Sequence, residues 1–281
     1  MAFQKALLSL VTVLLVGQCA AQTVTDADIY NFALNLEYLE ANFYHCGAYG
    51  TPITNNLGGP DPTGCTMGAY SDAVHNLFVE LAMDEMDHVT GIQTYLGSAA
   101  VAQPQIDLSA VTAAANAAFG ETLSPPFTYQ ANDITGLLSS FLFEDVGVTA
   151  YNGAAPLITS KTLLAPAVGI GLVEAYHAGI IRKTLFDMMS MPTGYGVTVG
   201  MAANTISSLR GNVSAMASNT TPPNYADEGI TTNGVETLVP TGPYNIAFSR
   251  TPAEVLAIVY LGSASTPGGF FPAGVNGAIQ G

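Results

Sequence analysis

The residues of this chain best suited to chemistry are two Glu-x-x-His steps, each preceded by a lone glutamate. The first step runs from Glu85 to His88 in LAMDEMDHVTGIQTYL, the second from Glu174 to His177 in GLVEAYHAGIIRKTLF. Glu37 precedes the first, in FALNLEYLEANFY, and Glu144 the second, in LLSSFLFEDVGVTAY. A Glu and a His three residues apart project from one side of a helix, one above the other. The order Glu, Glu-x-x-His, Glu, Glu-x-x-His is the one by which a four-helix bundle holds two metal ions in its core. Carboxylates gathered in a dry core cannot all stay ionised without cations, because desolvation and mutual repulsion oppose it. Two divalent ions offset four such charges, and two neutral imidazoles complete the donor set. Carboxylate and imidazole without thiolate suit iron or manganese and leave zinc open. A pair of such ions can change oxidation state and take up dioxygen or peroxide.

The neighbouring candidates are less specific. Tyr44 follows Glu37 by two helical turns and is either a redox-active or supporting phenol or a core tyrosine. Glu40 competes with Glu37 as the ligand or supports it, and Glu37 is preferred. Asp84 and Asp87 point away from the Glu85 face, toward solvent or the surroundings of the site. His45 and His75 match no metal spacing. There is no phosphate loop, Gly-x-Ser-x-Gly or dinucleotide fingerprint.

Four helices must position these groups. The first is expected over about Asp26 to Tyr44, with Thr25 or Asp26 as its cap. The second opens at Ser71 or Asp72 and ends near Gly97. Its apolar positions Val74, Leu77, Phe78 and Leu81 lead into Glu85 and His88 and out again to Ile92 and Tyr95, so acid and imidazole occupy positions where the pattern demands burial. The third runs from Asn132 or Asp133 to about Tyr151, with Leu137, Phe141, Glu144, Val148 and Tyr151 on one face. The fourth runs from about Pro166 to Met189, with Ile170, Glu174, His177, Ile181 and Leu185 sharing a face. Arg182 and Lys183 lie in its last half, where cations suit the helix dipole. A short helix is expected over 109–119 and another over about 197–210. Residues 211–249 read mostly as loop, and Thr251-Pro252 opens a further helix. The expected fold is all-α: a four-helix bundle over 22–190 with long loops, and residues 191–281 as a helical and irregular C-terminal extension packed on it.

The composition sets bounds. Only 10% of the 281 residues are charged and 49% are apolar, enough for a sizeable core. The net charge of −15 argues against nucleic acid and anionic membranes as partners. The opening MAFQKALLSLVTVLLVGQCAAQ combines Lys5, a short apolar run and small residues at Cys19-Ala20-Ala21, the pattern of a secretory signal peptide over 1–21. No later segment reads as a membrane span. After cleavage two cysteines remain, Cys46 and Cys65, and an oxidising compartment favours their pairing. Asn212 and Asn219 stand in glycosylation sequons.

With these residues in place, the chain resembles the ferritin-like superfamily, and within it the desiccation-related, ferritin-like domain proteins of plants, algae and fungi. The resemblance rests on DADIYNFALNLEYLEANFY, DEMDHVTGI, ANDITGLLSSFLFEDVGVTAYNGAAP, VEAYHAGIIRKTLFD, RTPAEVLAIVYLG and PGGFFPAGVNG, which span most of the mature chain. It implies a bundle holding an iron or manganese pair on Glu37, Glu85, His88, Glu144, Glu174 and His177, with Tyr44 matching the tyrosine two turns after the first Glu. It does not imply one reaction. Dioxygen, peroxide or ferrous iron are the expected reactants of a redox centre, and the alternative is a non-enzymatic extracellular stress protein with a structural or relic site. Secretion, long loops after helices one and two, and the extension depart from storage ferritins and argue against cage assembly.

Overall fold

A computed structural model describes residues 24–218 and 227–281 of the chain. The signal-peptide expectation over 1–21 and the sequon asparagine Asn219 lie outside the described residues. The fold is all-α, as expected, with helices α1 (Asp26–Tyr49), α2 (Asp72–Leu96), α3 (Val111–Phe119), α4 (Asp133–Ala154), α5 (Lys161–Asp187), α6 (Val199–Ala217) and α7 (Pro252–Val259). Helices α1 and α2 form one hairpin, α4 and α5 the other, and the two pack into the bundle.

Each helix begins where its sequence offers a cap. Thr25 and Asp28 form a capping box on α1, Ser71 caps α2, Asn132 and Thr135 box α4, and Thr251 with Glu254 and Pro252 starts α7. Helix α5 starts five residues before the expected Pro166, because Ser160 accepts a bond from the Leu163 N–H and sets the first turn there. Pro166 falls inside the helix and removes a single backbone donor. Helix α6 continues past Arg210 to Ala217, because Val213, Ser214 and Ala215 are buried there and tertiary packing outweighs the weak propensity of Gly211. The segment read as loop also holds a short hairpin, Thr231–Thr232 with Val235–Glu236. Asn233 and Gly234 turn it with φ of 53° and 76°, the left-handed pair that such a two-residue turn requires.

The loop after α1 is tied back by a disulfide between Cys46 and Cys65, nineteen residues apart. A closed loop of that length contributes about 3 kcal/mol in the chain-entropy account. Helix α1 is buried nearly all round, under α2, α4 and the final segment. Its buried asparagines are accordingly paired: Asn35 donates through Nδ2 to the Asn276 carbonyl at 2.9 Å and accepts from the Asn276 N–H through Oδ1 at 2.8 Å, and Asn42 donates to Gln103 at 2.7 Å. Phe270 and Phe271 of the final segment are fully buried, Phe270 edge-on to Phe143. By length and composition α5 is the one described helix long and apolar enough to cross a bilayer, but its Glu174, His177 and Arg182 are buried in the fold.

All three arginines of the chain are buried in one network that fastens the C-terminal region to α4 and α5. Arg210 of α6 bonds Asp145 of α4 at 2.8 Å and Asp227 at 2.7 Å, and it also bonds the Phe141 carbonyl. Arg250 reaches Asp227 at 2.5 Å, Thr149 at 2.9 Å and Ser214 at 3.0 Å. Arg182 turns inward, not toward the end of its helix, because the carbonyls of Glu228 and Gly229 and the Asp145 carboxylate receive it there. Its neighbour Lys183 alone faces outward, paired with Asp187. Asp227 is the hinge of this network, its carboxyl held below the usual range by Arg210 and Arg250 against the cost of burial. Replacing Asp227 with Ala leaves two buried guanidiniums short of a counter-charge, so we expect a loss of about 3–5 kcal/mol in urea unfolding at neutral pH. A loss under 1 kcal/mol would mean that the network does not hold the C-terminal region in place.

Candidate metal centre

The six predicted ligands come from all four bundle helices and meet at one point. Glu37, Glu85, Glu144 and Glu174 are fully buried, and His88 and His177 are 9% and 4% exposed. Two groups of potential ligand atoms each lie within 4.8 Å of one another: Glu37, Glu85, His88 and Glu174 in one, and Glu85, Glu144, Glu174 and His177 in the other. Glu85 and Glu174 belong to both groups. The layout is pseudo-symmetric. Each hairpin contributes one lone glutamate from its first helix and a Glu-x-x-His pair from its second.

Distances show how closely the donors converge. His88 Nδ1 is 3.1 Å from Glu37, 3.2 Å from Glu85 and 3.4 Å from Glu174. His177 Nδ1 is 3.0 Å from Glu85 and 3.5 Å from Glu144, yet makes no hydrogen bond. Glu85 Oε1, Glu144 Oε2 and both oxygens of Glu174 are likewise buried without a hydrogen-bond partner. Buried polar atoms are normally paired, at a cost of about 1–3 kcal/mol each when they are not. Five such atoms at one point, all oxygen or imidazole nitrogen, fit a pair of metal ions as their missing partners. Gly147 of α4 makes room for this. A Cβ there would strike Glu174 Oε2.

Without ions the site balances charge with protons. Burial opposes the cationic form of His177, but Glu144 and Glu85 draw its pKa up to about 12, and Glu37, Glu174 and Glu85 raise His88 likewise. Burial lifts Glu37 to about 7 and drives Glu174 well above the usual carboxylate range, with repulsion from Glu85 added. Glu85 goes the other way: burial opposes its charge, but the adjacent imidazoles of His177 and His88 outweigh it.

Around the donors lie groups that orient them. Tyr44, on α1, bonds Glu144 of the opposite hairpin. Tyr151, on α4, returns the arrangement by bonding Glu37. Each tyrosine stands seven residues after the glutamate of its own helix, so the spacing that singled out Tyr44 was present a second time at Tyr151. By helical periodicity alone, Tyr151 reads only as a residue of the buried face. Asp84 accepts from His177 Nε2 at 3.0 Å, which sets Nδ1 as the free, inward nitrogen. Glu40 is buried but belongs to neither group of donors. Burial and repulsion from Glu174, Glu85 and Glu144 push its carboxyl well above the usual range. His45 and His75 lie apart, bonding the Thr51 and Ala48 carbonyls.

Residues 25–187 match the family model described as Ferritin-like domain. A desiccation-related protein of Craterostigma plantagineum, PCC13-62, is 36% identical over 194 residues, covering 66% of this chain and 61% of that protein. The chain thus spans less than two thirds of that relative's length. A ferritin-like catalase of Nesocodon mauritianus, Nec2, is 30% identical over 273 residues, covering 90% of this chain and 84% of its own. No solved structure matches the chain.

Two outcomes follow from the geometry. Removing the Asp84 carboxylate (Asp84→Ala) frees the His177 ring and should weaken metal binding by about 10–100-fold in competition with a chelator. Unchanged affinity would show that Asp84 does not orient a ligand. Binding also needs neutral imidazole, whereas the metal-free site holds His88 and His177 protonated at pH 7. Loading must therefore expel protons, and affinity should rise with pH, roughly tenfold per unit for each proton displaced. Calorimetry in buffers of different ionisation enthalpy reads that proton count directly, and a count of zero would overturn this account of the metal-free site.

Proposed function

The chain belongs to the ferritin-like, desiccation-related family, and on that premise we propose that it is a secreted protein that holds a pair of iron or manganese ions and breaks down hydrogen peroxide. The observation that carries this reading is the sharing of Glu85 and Glu174 by both groups of donors. Glu37 and His88 would hold one ion and Glu144 and His177 the other, with Glu85 and Glu174 between them. When bound, such a pair supplies two-electron redox chemistry, oxidising one peroxide to dioxygen and reducing another to water.

The chain's own residues do the rest. Tyr44 and Tyr151 hold the two outer carboxylates in place, each from the opposite hairpin, and Tyr44 is assigned the assisting role in electron transfer. Asp84 keeps the His177 ring in one orientation. Burial and the neighbouring carboxylates favour the neutral form of Glu40, which disfavours a fifth negative charge beside the donors. Access for a small oxidant favours the side of α2 and α5, where Asp84 has a side chain 43% exposed and His88 keeps its residual exposure. The choice of peroxide rests on the ferritin-like catalase, which aligns with 90% of this chain. The short apolar opening of the chain and the Cys46–Cys65 disulfide support an extracellular setting. The exposed sequon at Asn212 is compatible with it.

Elemental analysis of the purified chain beside its His88→Ala/His177→Ala variant tests the centre. About two iron or manganese ions per chain are expected, lost in the variant. Oxygen evolution from peroxide, followed at an oxygen electrode, should disappear with them. Full metal in the variant would sink the ligand assignment. A metal-loaded chain inert to peroxide and to ferrous iron would favour a non-enzymatic stress protein with a structural metal, and chelation should then lower the melting temperature sharply.

A further inference from the structure

A cavity of about 270 Å³ lies behind the metal centre, between α4, α5 and the segment 227–250. Val148, Ala178, Gly179, Leu238 and Phe248 give it apolar walls. Asp145 stands in the same wall, buried at 6% exposure. Its Oδ2 accepts from Arg210, while its Oδ1 has no hydrogen-bond partner. An engineered apolar cavity of about 150 Å³ takes up benzene, so this volume admits a single ring with a substituent. An apolar chamber with one buried carboxylate oxygen unpaired selects a molecule with an apolar body and one hydrogen-bond donor.

The charge of that molecule follows from its surroundings. Three buried guanidiniums, Arg182, Arg210 and Arg250, pair with Asp145 and Asp227, and a third acidic residue, Glu228, also lines the cavity. These charges balance, so a cation would meet the guanidiniums and an anion the carboxylates. A neutral donor fits, and a hydroxyl is the donor that stays neutral at pH 7. We infer that this cavity is a binding site for a small neutral hydroxylated compound of phenol type, with its ring among Val148, Gly179 and Phe248 and its hydroxyl on Asp145. The site is separate from the metal centre but shares its walls: Asp145 follows Glu144 on α4, and Ala178 follows His177 on α5. A ligand there rests on the outer side of the helices that carry two of the donors.

Phenol and toluene form a matched pair for the test, since they differ by a hydroxyl against a methyl. Gly179 supplies the blocking variant. It lines the cavity, and a Cβ added there meets nothing within 4 Å, so Gly179→Leu fills the chamber while improving helix propensity. Gly169, on the same helix outside the cavity and equally open, supplies the control Gly169→Leu. Titration calorimetry on the full chain should show saturable, one-to-one phenol binding, with toluene weaker by at least about tenfold because it leaves Asp145 Oδ1 unpaired. Gly179→Leu should lose phenol binding by more than about tenfold, and Gly169→Leu should keep it. If Gly179→Leu does not fold, Val148→Phe fills the same chamber from the opposite helix and is read in the same way. Absence of saturable phenol binding, equal binding of toluene, or undiminished binding in the filled variants would each overturn the proposal. Circular dichroism and metal content of the variants separate a blocked cavity from a damaged fold.

Discussion

Four carboxylates and two imidazoles confined at one buried point are the constraint on which this structure turns. In an apolar core the ionised forms repel one another and lose their hydration, a cost that hydrophobic burial elsewhere does not remove. Without ions, the neighbouring carboxylates raise the pKa values of His88 and His177, and burial raises that of Glu174, so protons are favoured at the site. The proposed metal pair would offset it with fixed charge. The two solutions exclude each other at the same atoms, which makes proton release and metal loading one event seen from two sides.

The rest of the fold serves this balance. Helix α4 carries Glu144 toward the donors and Asp145 toward the arginine network, so one helix divides the two buried charge systems between its faces. Phe141, one turn earlier, lies under the guanidiniums of Arg210 and Arg182 at 4.3 and 5.3 Å and adds a favourable ring–cation contact. The arginines neutralise Asp145 and Asp227 locally, which keeps those carboxylates from adding to the negative charge beside Glu144. The C-terminal region thereby covers the bundle and confines its electrostatics. The reciprocal bonds of Tyr44 and Tyr151 cross between hairpins, so the outer glutamate of each half is held by the other half. That crossing ties the geometry of the site to the packing of the two hairpins.

Much of this was legible along the chain. Glu85 and His88 interrupt an apolar stripe at helical spacing, as do Glu174 and His177, and a charged group at such a position must face the core. The caps at Thr25, Ser71, Asn132 and Thr251 were readable because each needs only its own neighbours. The start of α5 was misplaced because Pro166 reads locally as a boundary, whereas Ser160 and packing extend the helix past it. The end of α6 was set by burial of Val213 and Ala215, which local sequence does not report.

The sequence by itself determined which residue types could bind metal, their helical register and the all-α class, because periodicity and capping are local properties. Only the tertiary structure decided that Glu85 and Glu174 lie between both groups of donors, that Tyr151 mirrors Tyr44 and that Asp84 meets His177. It also turned Arg182 inward, toward partners 37 to 47 residues away along the chain. Those facts depend on which helices become neighbours and at what rotation. Contacts between residues far apart in the chain set both, and no local pattern encodes them.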